Sequence, residues 1–188
     1  MTTGPRFLPA KERIARPWKN GGGVTRDIAV FPEGPGDTAF LWRTSVAAIA
    51  APGPFSSFPG IDRAFLLLDG ELAITVGGAD TRRIDADATP LVFGGEQPVH
   101  AEPGRGGCVA LNVMTRRGRV SAKLDRWSAA RPTSADALLV VSPASAAITC
   151  GDTVFDLAAG DALLLDHPAG LSAIEGAVIA IKLFYAAG

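Results

Sequence analysis

The stretch FLLLDGELAITV, residues 65–76, decides the fold class of this chain because it sets two apolar runs on either side of Asp69-Gly70. Short runs rich in Leu, Ile, Val, Phe and Thr are typical of β-strands. Asp-Gly tolerates the positive φ values that a tight turn requires. The stretch therefore predicts a β-hairpin, with strands at residues 65–68 and 72–76.

Similar apolar runs bounded by Gly, Pro and Asp continue outward along the chain, as in TPLVFGG (89–95), CVALNVMT (108–115) and DALLLDH (161–167). Signals for helix are scarce, with one helical turn expected near Pro9–Arg13 and another within Ala129–Leu138. The 22 Gly and 14 Pro residues indicate frequent turns. We predict an all-β fold with few short helices.

The 188 residues are enough for one sizeable core, so we expect a single folding unit. A polar, Ala-rich stretch at Lys123–Pro143 indicates a junction between two halves, 1–122 and 123–188, the second completed by N-terminal strands. Residues 84–101 and the segment around Gly160-Asp161 share a similar pattern of apolar run, turn and Pro. This weak repetition favours duplicated barrels.

Composition and charge exclude several classes of function. The formal net charge of -1 gives no basic stripe for nucleic acid or an anionic membrane. No apolar run approaches the ~18 residues that span a bilayer, and the N-terminus lacks a signal-peptide pattern, so a cytoplasmic location is expected. His100 and His167 are the only histidines. Since a metal site usually needs three protein ligands, we expect no metal and no other cofactor.

The pentamer Lys19-Asn20-Gly21-Gly22-Gly23 is the most unusual short segment. Successive glycine N–H groups can form a concave anion site, which the adjacent lysine would favour. The same residues would equally serve as a turn that leads into a strand at residues 24–30. The spacing alone does not separate these two interpretations.

Strand alternation groups further polar residues by face. Arg43 and Ser45 share one face of WRTSV, and Asn112 shares a face with Met114 and Arg116 in LNVMTRR. These faces would either be solvated or point into a barrel. A buried guanidinium needs a carboxylate or a ligand, so a structural ion pair and an anion site both remain open.

The loop Gly53–Arg63 combines aromatic rings with hydroxyl groups and ends in an Asp-Arg pair. Phe55 and Phe58 would wall a pocket and Arg63 would bind a carboxylate through its fork of N–H groups. Alternatively, the rings would plug a barrel end and Asp62 would pair with Arg63 or another arginine.

Five of these motifs, in this order, resemble the HutD family, whose other branch is called Ves: PWKNGGGVTRDI (17–28), WRTSVA (42–47), GPFSSFPGIDR (53–63), FGG (93–95) and NVMTRRG (112–118). The resemblance covers residues 16–118. It implies a cupin-like (RmlC-like) double β-barrel, or bicupin, without the cupin metal, and frequently a homodimer. This sequence departs from the family pattern at two places. Ala110 and Leu111 stand where we expect an acidic residue, and Asp27 stands where Glu is commoner.

The resemblance also implies a role in bacterial histidine utilisation, in which the family is thought to bind formylglutamate or urocanate and limit flux. Carried over by position, the ligand-binding candidates are Arg63, Arg43, Ser45, Lys19, Asn20, Phe55, Ser56, Asn112 and Arg116. No catalytic residue is assigned.

Three hypotheses of function follow. The first is a non-catalytic protein that binds a small carboxylate metabolite through its arginines. The second is a metal-independent isomerase or hydrolase that uses Asp62 or His100 as its acid-base group. The third is a structural barrel that only assembles with a partner, which would require a filled interior.

Overall fold

Strands carry almost all of the regular structure in this computed structural model, which describes residues 4–32, 39–166 and 168–186, apart from the side chain of Ala169. In chain order they are β1 (Arg6–Leu8), β2 (Ala15–Pro17), β3 (Gly23–Phe31), β4 (Trp42–Ile49), β5 (Gly53–Pro54), β6 (Ile61–Val76), β7 (Arg82–Ile84), β8 (Leu91–Gly94), β9 (Val99–Arg116), β10 (Val120–Trp127), β11 (Ala137–Val141), β12 (Ala146–Cys150), β13 (Thr153–Leu157), β14 (Ala162–Leu165), β15 (Leu171–Glu175) and β16 (Val178–Tyr185). Two single-turn 3-10 helices, Ala10–Glu12 and Pro168–Gly170, complete the described elements. The all-β prediction is confirmed.

The chain forms two compact units. The first, which we call the continuous unit, is Ile14–Arg119, and the second, the discontinuous unit, combines Met1–Arg13 with Val120–Gly188. The continuous unit holds an eight-stranded antiparallel sheet in the order β2-β3-β4-β9-β6-β7, with β5 also paired to β9 and β8 to β6. This order leaves β2 and β7 as edges, so the described strands form an open sheet and not a hydrogen-bonded barrel.

The discontinuous unit consists of two sheets with a core between them. One sheet has the order β1-β14-β11-β16-β10 and the other has the order β13-β12-β15. Alternate residues of both sheets form one buried cluster, including Leu138, Val140 and Leu163 from the first sheet and Ile148 and Ile174 from the second. Burial of these apolar side chains is the main contribution that holds the two sheets together.

The predicted hairpin at Asp69-Gly70 is wrong. Ile61–Val76 is one 16-residue strand, and its two halves both pair with β9. The register shifts between Leu67 and Asp69 and again between Gly70 and Leu72, and Gly70 has a φ of 81°. One type of β-bulge, the G1 bulge, has a glycine with the same positive φ as a tight turn, so Asp-Gly here marks a bulge in a long strand.

Other local predictions had mixed outcomes. The helical turn near Pro9–Arg13 is confirmed, as a 3-10 helix at Ala10–Glu12. The helical turn within Ala129–Leu138 is wrong, because residues 128–136 have no helical hydrogen bonding and β11 begins at Ala137. Among the described residues, no helix has the length and apolar character needed to cross a bilayer.

Candidate functional site

Three neighbouring strands of the continuous unit, β4, β9 and β6, place their alternate side chains on one face of the sheet. Their register aligns two rows of residues across the strands. One row is Arg43, Met114 and Arg63, and the next is Ser45, Asn112 and Phe65. The sequence analysis assigned Arg43 with Ser45 to one strand face and Asn112 to another. The register shows that these faces form one continuous surface.

This surface is the floor of a cavity of about 590 Å³ that lies within the continuous unit. Eight of the nine predicted site residues line it: Lys19, Asn20, Arg43, Ser45, Phe55, Ser56, Arg63 and Asn112. Their role in binding stays a prediction. Arg116 is not among the lining residues, and its Nε donates a hydrogen bond to the carbonyl of Phe40 at 3.1 Å.

Arg63 is the most deeply buried cation of the cavity, with 7% of its surface exposed. Its Nε and Nη2 both donate to Oδ1 of Asn112, each at 3.2 Å. No carboxylate among the described residues pairs with it. Its hydrogen-bond partner is thus a neutral amide, and the described part of the chain does not supply the ionic partner that a buried guanidinium normally has.

Aromatic rings surround the guanidinium of Arg63. Its Cζ lies 5.0 Å from the centroid of the Phe55 ring, 5.1 Å from that of Phe93 and 6.0 Å from that of Phe58. Such contacts stabilise a cation through the ring quadrupole. They also exclude water, so desolvation by burial, followed by repulsion from Arg43, lowers the pKa of Arg63 to about 10. Arg63 stays charged at neutral pH.

Arg43, unlike Arg63, has an acidic partner. Its Nε donates to Oδ1 of Asp27 at 2.7 Å, and Nη1 of Arg16 lies 3.3 Å from Oδ2 of the same carboxylate. One aspartate is therefore shared by two arginines, both of which line the cavity. The sequence analysis expected an acidic residue just before Asn112. Arg43 does not need it, because Asp27 on β3 is its ionic partner.

The pentamer Lys19–Gly23 forms a turn at the edge of the cavity. The N–H of Gly21 donates to the carbonyl of Trp18 at 3.0 Å, and the N–H of Gly22 donates to Oδ1 of Asn20 at 3.0 Å. Two of its donors are thus used inside the turn, which favours the turn interpretation over a concave anion site. Lys19 and Asn20 face the cavity from this turn.

Hydrogen-bond donors remain free on the floor. Ser45 is 2% exposed and lines the cavity, and its hydroxyl has no hydrogen-bond partner among the described residues. The amide nitrogen of Asn112 is likewise unpaired within the described chain, since Arg63 engages only its oxygen. Buried polar groups are normally hydrogen-bonded, so these donors have capacity for a ligand or for water.

The loop that carries Phe55 and Phe58 is fixed at both ends. Phe55 donates its N–H to Val99 at 2.9 Å, and Phe58 donates to Gly95 at 2.8 Å. Beyond the loop, Arg117 donates to Asp62 at 2.7 Å and to both carboxylate oxygens of Glu96 at 2.8 and 3.0 Å. These bonds raise the pKa of Arg117 above its ordinary range and lower that of Glu96.

The candidate acid-base groups lie elsewhere. Asp62 pairs with Arg117, and His100 lies 3.5 Å from Glu102 with half of its side chain exposed. His167 lies outside the described residues. None of the described residues that line the cavity is Asp, Glu or His. In the part of the chain that the structure describes, no three His, Cys, Asp or Glu side chains are grouped for a metal ion.

Phe58, which the sequence analysis expected to wall a pocket with Phe55, also lines the cavity. Several other lining residues were not predicted, namely Arg16, Pro17, Trp18, Thr25, Ala47, Ile49, Pro54, Ser57, Phe65 and Met114. Trp18 donates from Nε1 to Thr25 at 2.8 Å, and its ring meets that of Phe55 edge-on at 6.1 Å. Alternation along β4 would have identified Ala47 and Ile49. Trp18 could have been identified because it directly precedes the pentamer Lys19–Gly23, which was already a candidate.

The sequence matches the model of the HutD family over residues 10–180. It is 37% identical to the protein Ves of Cronobacter sakazakii over 119 residues, which is 63% of this chain and 64% of that relative. The chain thus spans less than two thirds of this curated relative's length.

Among solved structures, HutD from Pseudomonas fluorescens SBW25, described with a formate condition, superposes with a TM-score of 0.85 at 30% identity, and the match covers 98% of this chain and 100% of that one. A cupin 2 conserved barrel domain protein from Leptotrichia buccalis matches with a TM-score of 0.55 at 14% identity, covering 87% of this chain and 89% of that one. The second likeness concerns the fold alone, which is cupin-like.

Proposed function

Because the chain belongs to the HutD family, we propose that it is a non-catalytic protein that binds a small carboxylate metabolite of histidine catabolism, formylglutamate or urocanate, and thereby modulates flux through that pathway. The observation that carries the proposal is Arg63. It is a buried, charged guanidinium that lines a cavity, and no carboxylate among the described residues neutralises it. A ligand carboxylate would supply the missing partner.

The charge of the cavity wall supports the same proposal. Four lining residues are cationic, namely Arg16, Lys19, Arg43 and Arg63, and among the described lining residues none is acidic. Asp27 offsets only part of this charge through Arg43 and Arg16. An excess of positive charge in a concave site attracts anions and raises their local concentration.

The walls and the size of the cavity fit a metabolite and not only an inorganic ion. Apolar side chains of Trp18, Ile49, Phe55, Phe65 and Met114 flank the polar floor. A volume of about 590 Å³ lies in the range of small-molecule sites. Urocanate and formylglutamate both join a carboxylate to a larger body, which these walls would contact.

A metal-independent enzyme is less well supported. General acid-base catalysis requires a titratable group within hydrogen-bond reach of the substrate. Asp62 and His100, the two groups considered for that role, lie outside the lining of this cavity and are engaged with Arg117 and Glu102.

Calorimetric titration with formylglutamate, urocanate and formate tests the proposal. We expect at least one of the two metabolites to bind, and formate, whose condition describes the similar HutD structure, to serve as the smallest probe. Arg63→Met should weaken binding at least about tenfold, or ~1.4 kcal/mol. Arg105→Met, at an exposed arginine outside the lining, is the matched control and should bind like the native protein. No heat with any of the three compounds would contradict the proposal.

The family association extends the proposal to three further properties. We place the protein in the cytoplasm, as a homodimer, with no nucleic acid or membrane partner. We also propose that the two units correspond to the two halves of a bicupin. Light scattering of the purified protein would test the dimer, and a protomer mass in solution would contradict it.

A further inference from the structure

We infer that the free edge of β10 pairs with the same edge of a second copy of this chain, antiparallel, across a two-fold axis at Leu124. The five-stranded sheets of two discontinuous units then join into one continuous sheet. The inference rests on the homodimer included in the proposed function and locates its interface.

β10 is the last strand in the sheet order β1-β14-β11-β16-β10, so β16 borders one of its sides and no strand among the described residues pairs with the other. It has eight residues, contains no proline, and pairs with β16 along its whole length without a register shift. A long, regular edge presents a row of unpaired N–H and C=O groups, which is a template for another strand.

The strands at the other ends of the sheets are shorter or less regular than β10. β1, β2 and β7 have three residues each, and β2 ends in Pro17. β13 has five residues, and β15 has five with a register shift in its pairing to β12. Short strands, proline and bulges are features by which proteins prevent edge-to-edge pairing. Among these strands, β10 is therefore the edge best suited to bind another chain.

The charges of β10 match those of a second β10 in one register. Side chains directly opposite each other in an antiparallel pair lie on the same face and interact. With the axis at Leu124, Lys123 lies opposite Asp125 of the partner subunit, and the two-fold axis repeats this pair. An axis at Lys123 or at Asp125 instead sets two like charges directly opposite each other. Like charges in that position are destabilising, so the sequence of β10 favours the axis at Leu124.

Both charged groups are accessible to a partner. Lys123 is exposed, its Nζ lies 6.0 Å from the centroid of the Phe184 ring, and no carboxylate within the described chain pairs with it. Asp125 has 43% of its side chain exposed and binds Lys182 through Oδ2. Its Oδ1 has no partner among the described residues, so it has capacity to accept from a second lysine.

Charge exchange on β10 tests both the interface and its register. In a dimer of Lys123→Glu, each new carboxylate lies opposite Asp125 of the partner subunit. In a dimer of Asp125→Lys, each new ammonium lies opposite the partner's Lys123. Each variant should therefore dimerise at least about tenfold more weakly than the native protein. In an equimolar mixture of the two variants, both opposing pairs of the mixed dimer carry opposite charges, so the mixture should recover dimerisation.

Lys11→Glu is the matched control. It makes the same charge change at an exposed lysine of the discontinuous unit. Lys11 follows β1, which lies at the opposite end of the five-stranded sheet from β10. Dimerisation of this variant should equal that of the native protein.

Sedimentation velocity over a range of protein concentrations measures dimerisation, and circular dichroism checks that each variant folds. If Asp125→Lys does not fold, Lys123→Glu against Lys11→Glu decides the question. A dimer that Lys123→Glu does not weaken, or two folded variants whose mixture does not recover dimerisation, would overturn the inference and leave the homodimer standing. A native protein that is monomeric throughout would overturn both. Metabolite binding tests the rest of the proposed function separately and should be unchanged in Lys123→Glu, because Arg63 lies in the continuous unit.

Discussion

Arg63 carries a positive charge inside the protein at a cost in free energy. Its neighbours are three aromatic rings and a neutral amide, and its pKa is lowered to about 10, first by desolvation and then by Arg43. A lowered pKa of a base means that the folded state disfavours its charged form. Under the proposed function, Arg63 lowers the stability of the ligand-free protein in return for affinity for a ligand.

Arg63→Met should therefore stabilise the ligand-free protein, by about 1–3 kcal/mol, because the variant replaces a buried charge, which has no ionic partner among the residues that the structure describes, with an apolar side chain. Urea unfolding measures this difference, with Arg105→Met as the control at an exposed site. A loss of stability of similar size would mean that Arg63 serves mainly to hold the fold.

The difference in stability between Arg63→Met and the native protein should depend on pH. Between pH 10 and the ordinary pKa of arginine, the unfolded state binds more protons at this position than the folded state, so the native protein gains stability as pH rises through about 10. The stability difference between Arg63→Met and the native protein should be largest below about pH 10 and should decrease as the pH rises above that value. Carboxylate binding by the native protein should weaken over the same range as Arg63 loses its proton.

The loop Gly53–Gly60 acts as one element because its backbone is hydrogen-bonded to β9 and to Gly95, the residue that follows β8. Gly95 is central to this, since it accepts from Phe58 and donates to Ile61 at 2.7 Å. A Cβ at Gly95 would lie 2.6 Å from the carbonyl oxygen of Phe58 and 3.0 Å from that of Ile61. These are backbone atoms, which do not move aside cheaply.

Gly95→Ala should displace the loop, lower stability by about 1–3 kcal/mol and weaken ligand binding through Phe55 and Phe58. Gly170→Ala is the control, since a Cβ there meets only one atom, at 4.0 Å. Thermal unfolding and calorimetry together measure both effects. Native affinity in Gly95→Ala would show that the loop does not position the site.

At the level of elements, the sequence predicted the faces of strands better than their connections. Alternation placed Arg43 with Ser45 and Asn112 with Met114, because period two holds along any strand. Asp69-Gly70 was misassigned because a bulge and a turn share one backbone requirement, and only pairing with β9 distinguishes them. The interaction of Arg63 with Asn112 depends on strand register, which a single sequence does not encode locally.

At the scale of the molecule, every lining residue of the cavity belongs to the continuous unit, Ile14–Arg119. The five family motifs fall in that unit as well, between residues 17 and 118. The motifs thus lie in the part of the chain that forms the cavity. The shape of the cavity depends on how the strands pair, because its lining residues come from β2, β3, β4, β5, β6, β9 and two loops.

A crystal structure of the protein with the metabolite that binds most tightly tests the central claim most directly. We predict that a ligand carboxylate lies in the plane of the Arg63 guanidinium, within hydrogen-bond distance of Nη1 and Nη2, and that the Ser45 hydroxyl donates to it. A ligand bound outside this cavity, or inside it with its carboxylate away from Arg63, would contradict the account.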